Sequence, residues 1–422
     1  MPRVSVVIAT YNWSEALACA LRSVRLQTFQ DYEVLVAGDA CTDDSEAVVA
    51  GVNDPRFRWF NRETNAGSQW GPNNDAIARS DAEYIAYLGH DDLWYPTHLE
   101  SLVRAADARK ADVACATAVM YGPPETGVRA VCGIFADGEM DERQFVVPSA
   151  MLHKRSLIER IGPWRDAQSL RIPTDCDLVL RALRAGAVFV ATDELSVFKF
   201  NAAWRRDAYG RRPTEEQRAM LARIESGVDF RASELVGVIR AMISHRNIEV
   251  RMPIPSEHTR RAIARTREFK GASRNAGIPL RKLVTRSTYT LDDQPASLEW
   301  YPAERSARFG SFRWSGPSSV STLRFPLDVP VGTVLEIEIV GVNAKRVEGA
   351  CKLEINGHEA TTLTTAESGL HVVRAEVERA AGPGQPVSVC FRVAGTTPGP
   401  ADEDRRPRGV AVHSVTFIPP VM

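Results

Sequence analysis

The first two hundred residues alternate short apolar strands with amphipathic helices, and this alternation restricts the fold more than any other feature of the chain. Val4–Ala9 is an apolar run broken only by Ser5, the pattern of a strand buried on both faces. A helix is predicted from Ser14 to about Arg25, with Leu17, Leu21 and Val24 on one face. The next strand, Glu33–Ala37, begins about thirty residues after the first, the length of a βαβ repeat. Phe57–Phe60 and Tyr84–Leu88 read as further strands, and Asn74–Ser80 as a short helix. Pro96 opens another helix, with Leu99, Leu102, Val103 and Ala106 turned inward. The expected fold is α/β, a mostly parallel sheet with helices on both faces. Neither GxGxxG nor GxxxxGK[ST] occurs, so dinucleotide and P-loop phosphate sites are not indicated.

Two changes of pattern follow. Glu215–Ile224 and Ala232–Ser244 are helical, and Arg240 to Arg286 holds twelve Lys or Arg against three Glu. From about residue 287 short alternating runs take over, such as Leu335–Ile339, Lys352–Ile355 and Val387–Phe391, separated by turn residues including Asn356-Gly357. That pattern predicts an all-β sandwich or jelly roll. The expected domains are 1–210, a helical, basic extension or linker over 211–286, and a β-sandwich over 287–422.

Composition narrows the function classes. The 52 basic and 53 acidic residues leave a net charge of −1, which gives no general reason for nucleic-acid binding. Seven cysteines without a CxxC read as reduced packing residues. Met1-Pro2-Arg3 leads straight into a strand, with no secretory signal, and no apolar run reaches the length of a spanning helix. A cytoplasmic location is expected, with the basic block 240–286 either in peripheral contact with the inner face of the membrane or a solvated helical face.

Open α/β sheets bind ligands beyond the carboxyl ends of their strands. Thr10-Tyr11-Asn12, Gly38–Asp44 and His90-Asp91-Asp92 each follow a strand and converge on one edge. Adjacent Asp91 and Asp92 suit either Mg²⁺ or Mn²⁺ shared with a diphosphate, or the cap of the helix near Pro96. Trp70, Trp94, Tyr95 and Trp204 either stack on a sugar or base or pack in the core. The charges of His153-Lys154-Arg155 read as surface charges.

These segments resemble family 2 glycosyltransferases with the GT-A nucleotide-sugar-binding fold. Val4–Asn12 resembles that family's opening strand and loop, and Ala37–Ser45 its V-D-D-G-S-T-D-D-T loop. Asn65-Ala66-Gly67 with Asn74–Ile77 is similar to its N-x-G…R-N-x-G-I segment. Tyr84–Asp92 resembles the strand ending in D-x-D-D, and Pro173–Leu178 with Arg181 the acceptor-side E-D-x-D-L…R motif.

The resemblance implies an inverting transferase that moves a hexosyl group from a nucleotide sugar, with a UDP-sugar favoured, to a glycan or lipid-linked acceptor in bacterial surface polysaccharide synthesis. It implies nucleoside contacts from Thr10 and Asp39, with Tyr11, Asn12, Asn65, Gly67, Asn74 and Asp91 also on the donor. Asp92, supported by Asp91, would ligate Mg²⁺ or Mn²⁺, and Asp175 would be the general base. The chain departs from the family pattern at Gly38 and Gly89, each in place of an Asp, at Asn73 in place of an Arg, and at Thr174 in place of a Glu. Lys199-Phe200-Asn201 stands where relatives often carry a histidine near the metal. The rival functions are a sugar nucleotidyltransferase and a non-catalytic binder of nucleotide sugar or glycan. A looser resemblance links the β region to modules attached to bacterial surface-glycan enzymes. There Trp314 and Arg406 either line a glycan groove or pack internally, Arg406 pairing with a neighbour such as Asp404. A homo-oligomer is compatible with all of these readings.

Overall fold

The apolar run near the N-terminus forms β1 (Val4–Thr10), buried almost throughout, and the amphipathic segment after it forms α1 (Ser14–Arg25). The chain continues through β2 (Tyr32–Gly38), α2 (Ser45–Ala50), β3 (Phe57–Asn61), α3 (Trp70–Ile77) and β4 (Tyr84–Tyr87). Then come β5 (Leu93–Trp94), α4 (His98–Arg109), β6 (Val113–Tyr121), β7 (Arg129–Cys132) and β8 (Met151–Lys154). The remaining elements before the β region are α5 (Arg155–Ile161), α6 (Thr174–Arg184), β9 (Phe189–Phe200), α7 (Ala208–Arg211), α8 (Glu215–Glu225) and α9 (Arg231–Ile243). The computed structural model describes residues 1–135, 138–205, 208–244, 252, 280–291, 300, 304–316, 320–325, 327–342, 351–367, 370–382, 386–393, 397–398 and 407–420.

Two compact units result. One comprises Met1–Gly122, Gly127–Ala202 and Arg212–Thr259, and the other Pro123–Thr126, Ala203–Arg211 and Arg260–Met422. In the first unit the sheet order is β3-β2-β1-β4-β8-β6-β9-β5, with β7 beside β6. Strands β3, β2, β1 and β4 are parallel, while β8 runs antiparallel to both β4 and β6. The parallel half carries the loops of interest at its carboxyl edge, and the antiparallel β8 turns the sheet over to its second half. Helices α8 and α9 belong to this unit. Met220, Ile224, Phe230 and Val238 pack with Leu93, Val119, Tyr121 and Phe198 in one cluster, and Tyr121 Oη donates to Glu234 Oε2 at 2.8 Å.

The second unit packs two antiparallel sheets around one core, as the alternating runs predict. Val334–Val342 pairs with Val410–Ile418 and Leu370–Glu376, and Val387–Val393 lies between Val320–Phe325 and Cys351–Ile355. Leu335 and Ile337 from one sheet meet Leu323, Phe325 and Phe391 from the other, and the Phe325 and Phe417 rings stand 4.9 Å apart. The Arg408 guanidinium lies over the Trp314 ring at 5.2 Å, so that tryptophan packs within the unit. Asp404 and Arg406 lie outside the described residues, as does most of the basic block 240–286.

Candidate active site

Strand register brings the donor-side residues together. Thr10 aligns with Gly38, and Gly38 with Asn61, at the carboxyl ends of three neighbouring strands. The Asp39 N–H donates to the Thr10 carbonyl at 2.8 Å, holding the second loop against the first. Asn12 turns the chain towards α1 with a left-handed φ of 46°. Its Oδ1 accepts the N–H groups of Thr42 and Asp43 at 2.7 and 3.3 Å, and Asp43 accepts the Ser14 N–H at 3.0 Å. Asn12, expected on the donor, is therefore a brace between the two loops; Tyr11 beside it is half-buried.

Asp39 is 4% exposed. Its Oδ1 accepts the Ala66 N–H at 2.7 Å, and Arg62 Nε lies 3.4 Å away. Asn65 Nδ2 donates to the Asp39 carbonyl at 2.7 Å while its Oδ1 accepts the Gly67 N–H at 2.6 Å. Gly67 adopts a φ of 72°, which a residue with a Cβ enters only at a cost. Asp39, Asn65 and Gly67 thus form one wall. The departure at Gly38 has a steric cause. A Cβ there would lie 2.5 Å from Asn61 Oδ1 and 2.6 Å from the Trp59 ring. Asn61 is itself committed, bonding both the N–H and the carbonyl of Cys41 at 2.9 Å.

The His90-Asp91-Asp92 loop differs from expectation. Asp92 is fully buried. Its Oδ2 accepts Ser149 Oγ at 2.5 Å and Lys199 Nζ at 2.8 Å, and its Oδ1 accepts the Phe200 N–H at 3.2 Å. Burial raises its proton affinity, and the Lys199 ammonium opposes that rise. Ser149 also accepts the Gly89 N–H at 3.0 Å. A Cβ at Gly89 would meet the Asp92 carboxylate at 2.8 Å, so the missing first Asp of the motif follows from this packing. His90 Nδ1 lies 3.0 Å from Thr10 Oγ1, and the half-buried Asp91 accepts Gln217 Nε2 on its carbonyl at 3.2 Å.

These residues do not fit a divalent ion. Mg²⁺ takes a near-octahedral set of oxygens from one or two unencumbered carboxylates, water and substrate phosphates. Both oxygens of Asp92 already have donors, one of them a cation. Asp92, expected to ligate a metal, here anchors Lys199. Ser149 and Lys199 complete this cluster. Sequence reasoning missed the first and saw the second only as a departure, although a cation replacing a histidine was a usable signal.

On the acceptor side, Asp175 lies in the first turn of α6, half-buried, with its Oδ1 accepting the Cys176 N–H at 2.9 Å. Burial raises its proton affinity, and Lys199 again works against the rise. Thr174, at the position of the family's Glu, donates its hydroxyl to the Arg165 carbonyl at 2.8 Å. Arg181 pairs with Asp177 at 2.8 Å and donates to the carbonyls of Ile161 and Gly162 at 2.6 and 3.0 Å, fixing the loop before α6.

Asn74 also serves that loop rather than the donor. Its amide bonds the Trp164 carbonyl and N–H at 2.8 and 2.9 Å. Trp164 Nε1 donates to Tyr87 Oη at 2.9 Å, and Tyr87 Oη lies 2.8 Å from His153 Nε2. His153 is buried, not a surface charge, and burial pushes it down to about 4, so it is neutral. Trp94 is core as well, donating to the Ser149 carbonyl at 2.7 Å.

Residues 5–156 match the family model described as Glycosyl transferase family 2. Three curated relatives are similar to part of the chain. A Campylobacter jejuni GalNAc(5)-diNAcBac-PP-undecaprenol beta-1,3-glucosyltransferase is 30% identical over 27% of this chain and 37% of its own. The Rhizobium meliloti succinoglycan biosynthesis protein ExoO is 33% identical over 27% and 32%. The Escherichia coli UDP-Glc:alpha-D-GlcNAc-diphosphoundecaprenol beta-1,3-glucosyltransferase WfaP is 27% identical over 26% and 43%. The chain thus spans less than half the length of each of these three. The parallel half-sheet, its loop positions and the family match agree: the first unit carries a glycosyltransferase family 2 domain.

Proposed function

We propose that the protein transfers a hexosyl group, with inversion, from a nucleotide sugar to a glycan or lipid-linked acceptor during bacterial surface polysaccharide synthesis. The observation that carries this reading is the wall of Asp39, Asn65 and Gly67 at the carboxyl edge of the parallel strands. Lys199 pairs with Asp92 in the loop after β4, and burial raises the proton affinity of Asp175. Asp175 takes the proton from the acceptor hydroxyl, whose oxygen attacks the anomeric carbon from the face opposite the diphosphate. The wall of Asp39, Asn65 and Gly67 receives the nucleoside. A UDP-sugar is the favoured donor, since WfaP is named for UDP-Glc, and a polyprenyl-linked acceptor fits the names of two relatives.

Incubation with UDP-, GDP-, dTDP- and CMP-sugars tests the reading. One donor should release its nucleotide, and NMR of the product should show inverted anomeric configuration. Retention of configuration would remove Asp175 as base, and the absence of any turnover would leave a binder.

Peripheral membrane contact belongs to the same proposal. No helix among the described residues is long and apolar enough to cross a membrane. Helix α9, however, exposes Leu235, Val236, Ile239, Met242 and Ile243 along one face, Ile243 at 74%. The basic stretch 240–286 follows directly, and polybasic segments gain about 1 kcal/mol per Lys or Arg near an anionic bilayer. Co-sedimentation with anionic but not neutral vesicles, lost on Ile239→Glu, is the expected result.

A further inference from the structure

The cluster around Asp92 holds a cation of its own. Lys199 lies one residue before the end of β9, paired in register with Met120 of β6, and its side chain is 19% exposed. Its ammonium sits 2.8 Å from a carboxylate that is fully buried and also bonded by Ser149 and the Phe200 N–H. A buried carboxylate with three such donors fixes the ammonium in place. The same ammonium acts on Asp175. Lys199 therefore stands at the end of the donor-side loop and within electrostatic reach of the proposed base.

We propose that Lys199, anchored by Asp92 and Ser149, supplies the positive charge for the nucleoside diphosphate leaving group, so that donor binding and transfer need no divalent ion. The inference rests on the nucleotide-sugar reading above. In the step itself the acceptor oxygen bonds to the anomeric carbon and its proton passes to Asp175. The bond from that carbon to the diphosphate oxygen breaks, and its electron pair stays on the diphosphate. Charge accumulates there, and a pre-placed N–H donor stabilises it without reorganisation. An ammonium does this as a point charge, held in place here by Asp92.

Calorimetric titration of the full chain with UDP, GDP and dTDP, in EDTA and then in Mn²⁺, tests this. The expected result is one nucleotide whose Kd differs less than about threefold between the two conditions, within the scatter of a single hydrogen bond. Lys199→Met should weaken that diphosphate by ~10- to 100-fold, the worth of a charge-assisted hydrogen bond, while leaving binding of the bare nucleoside unchanged. Lys199→Arg should retain most of the affinity. Because Lys199→Met leaves Asp92 buried without its cation, the double variant Asp92→Asn/Lys199→Met is measured beside it, with circular dichroism confirming the fold. Binding of the wild type that appears only with Mn²⁺, or equal loss of nucleoside and diphosphate in both variants, overturns the role of Lys199 and leaves the donor reading standing. Failure of every nucleotide under both conditions overturns the donor reading itself, and the role of Lys199 with it.

Discussion

The two units treat charge in opposite ways. In the first, Asp39, Asp92, Asp177 and Glu234 are all buried, at 4, 0, 7 and 8% exposure. In the second, Arg313 is the one charged side chain buried to that degree among the described residues, and the core is aliphatic and aromatic. Several of its ion pairs have an exposed partner, as in Glu336 with Arg286 and Arg374, or are exposed on both sides, as in Lys352 with Glu359. Burying a charge costs free energy that only a matched partner offsets. Two of these carboxylates, Asp39 and Asp92, lie in loops at the carboxyl edge of the sheet, where buried charge marks a candidate reaction or ligand site, whereas a unit that avoids buried charge is built to fold.

The sharpest way to break this comparison is at Asp175. Asp175→Asn keeps the shape and removes the base, so kcat should fall by about 10²- to 10⁴-fold with little change in nucleotide affinity. Only the unprotonated form accepts a proton, and burial raises its affinity for one above the ordinary aspartate value of 3.8. In the wild type, kcat/KM should therefore decline as pH falls through this raised value. The variant's residual rate should lack that acid limb. Parallel loss of nucleotide affinity would move Asp175 to the donor side.

Much of the architecture was legible because it is local. The periodicity of Ser14–Arg25 matches α1 end to end, and the strand read at Glu33–Ala37 extends by one residue each way. The short helix read at Asn74–Ser80 instead begins at Trp70. Pro72 sits in its first turn, where a proline's missing N–H costs nothing. Sequence reasoning assigns no strand to Val113–Tyr121, whose small Ala and Cys residues carry neither alternation nor a strong β signal, yet it is buried throughout. The site divides in the same way. Asp39, Asn65 and Gly67 follow strands in a short stretch and were read together. The Asp92–Lys199 pair spans 107 residues and Asp92–Ser149 spans 57, so no local pattern joins them.

Two stability measurements sharpen the contrast at intermediate size. Phe417, fully buried against Phe325, should cost about 3–5 kcal/mol when changed to Ala, by loss of transfer energy and the cavity left behind. Its signature is a lower melting temperature with nucleotide affinity kept. Asp92→Ala should cost about 3 kcal/mol, the low end for breaking a buried pair, because Lys199 keeps some solvent contact. Here nucleotide affinity should fall as well. If Phe417→Ala abolished binding too, the division of labour between the units would be wrong.

The smallest effect is expected at Glu336. It receives Arg286 at 2.8 Å and Arg374 at 2.8 Å, and those two side chains are 64 and 53% exposed. Solvent screens both arginines, and holding two long side chains in one geometry costs entropy, so such pairs contribute about 0–1 kcal/mol. Glu336→Gln keeps an acceptor for one of them. Chemical denaturation should then show a loss below about 1 kcal/mol, shrinking further as salt rises because exposed charges are screened over about 10 Å at 0.1 M. A loss as large as that of Asp92→Ala, or one indifferent to salt, would mean that the second unit also relies on poorly solvated charge. The contrast would then be one of position on the chain and not of design.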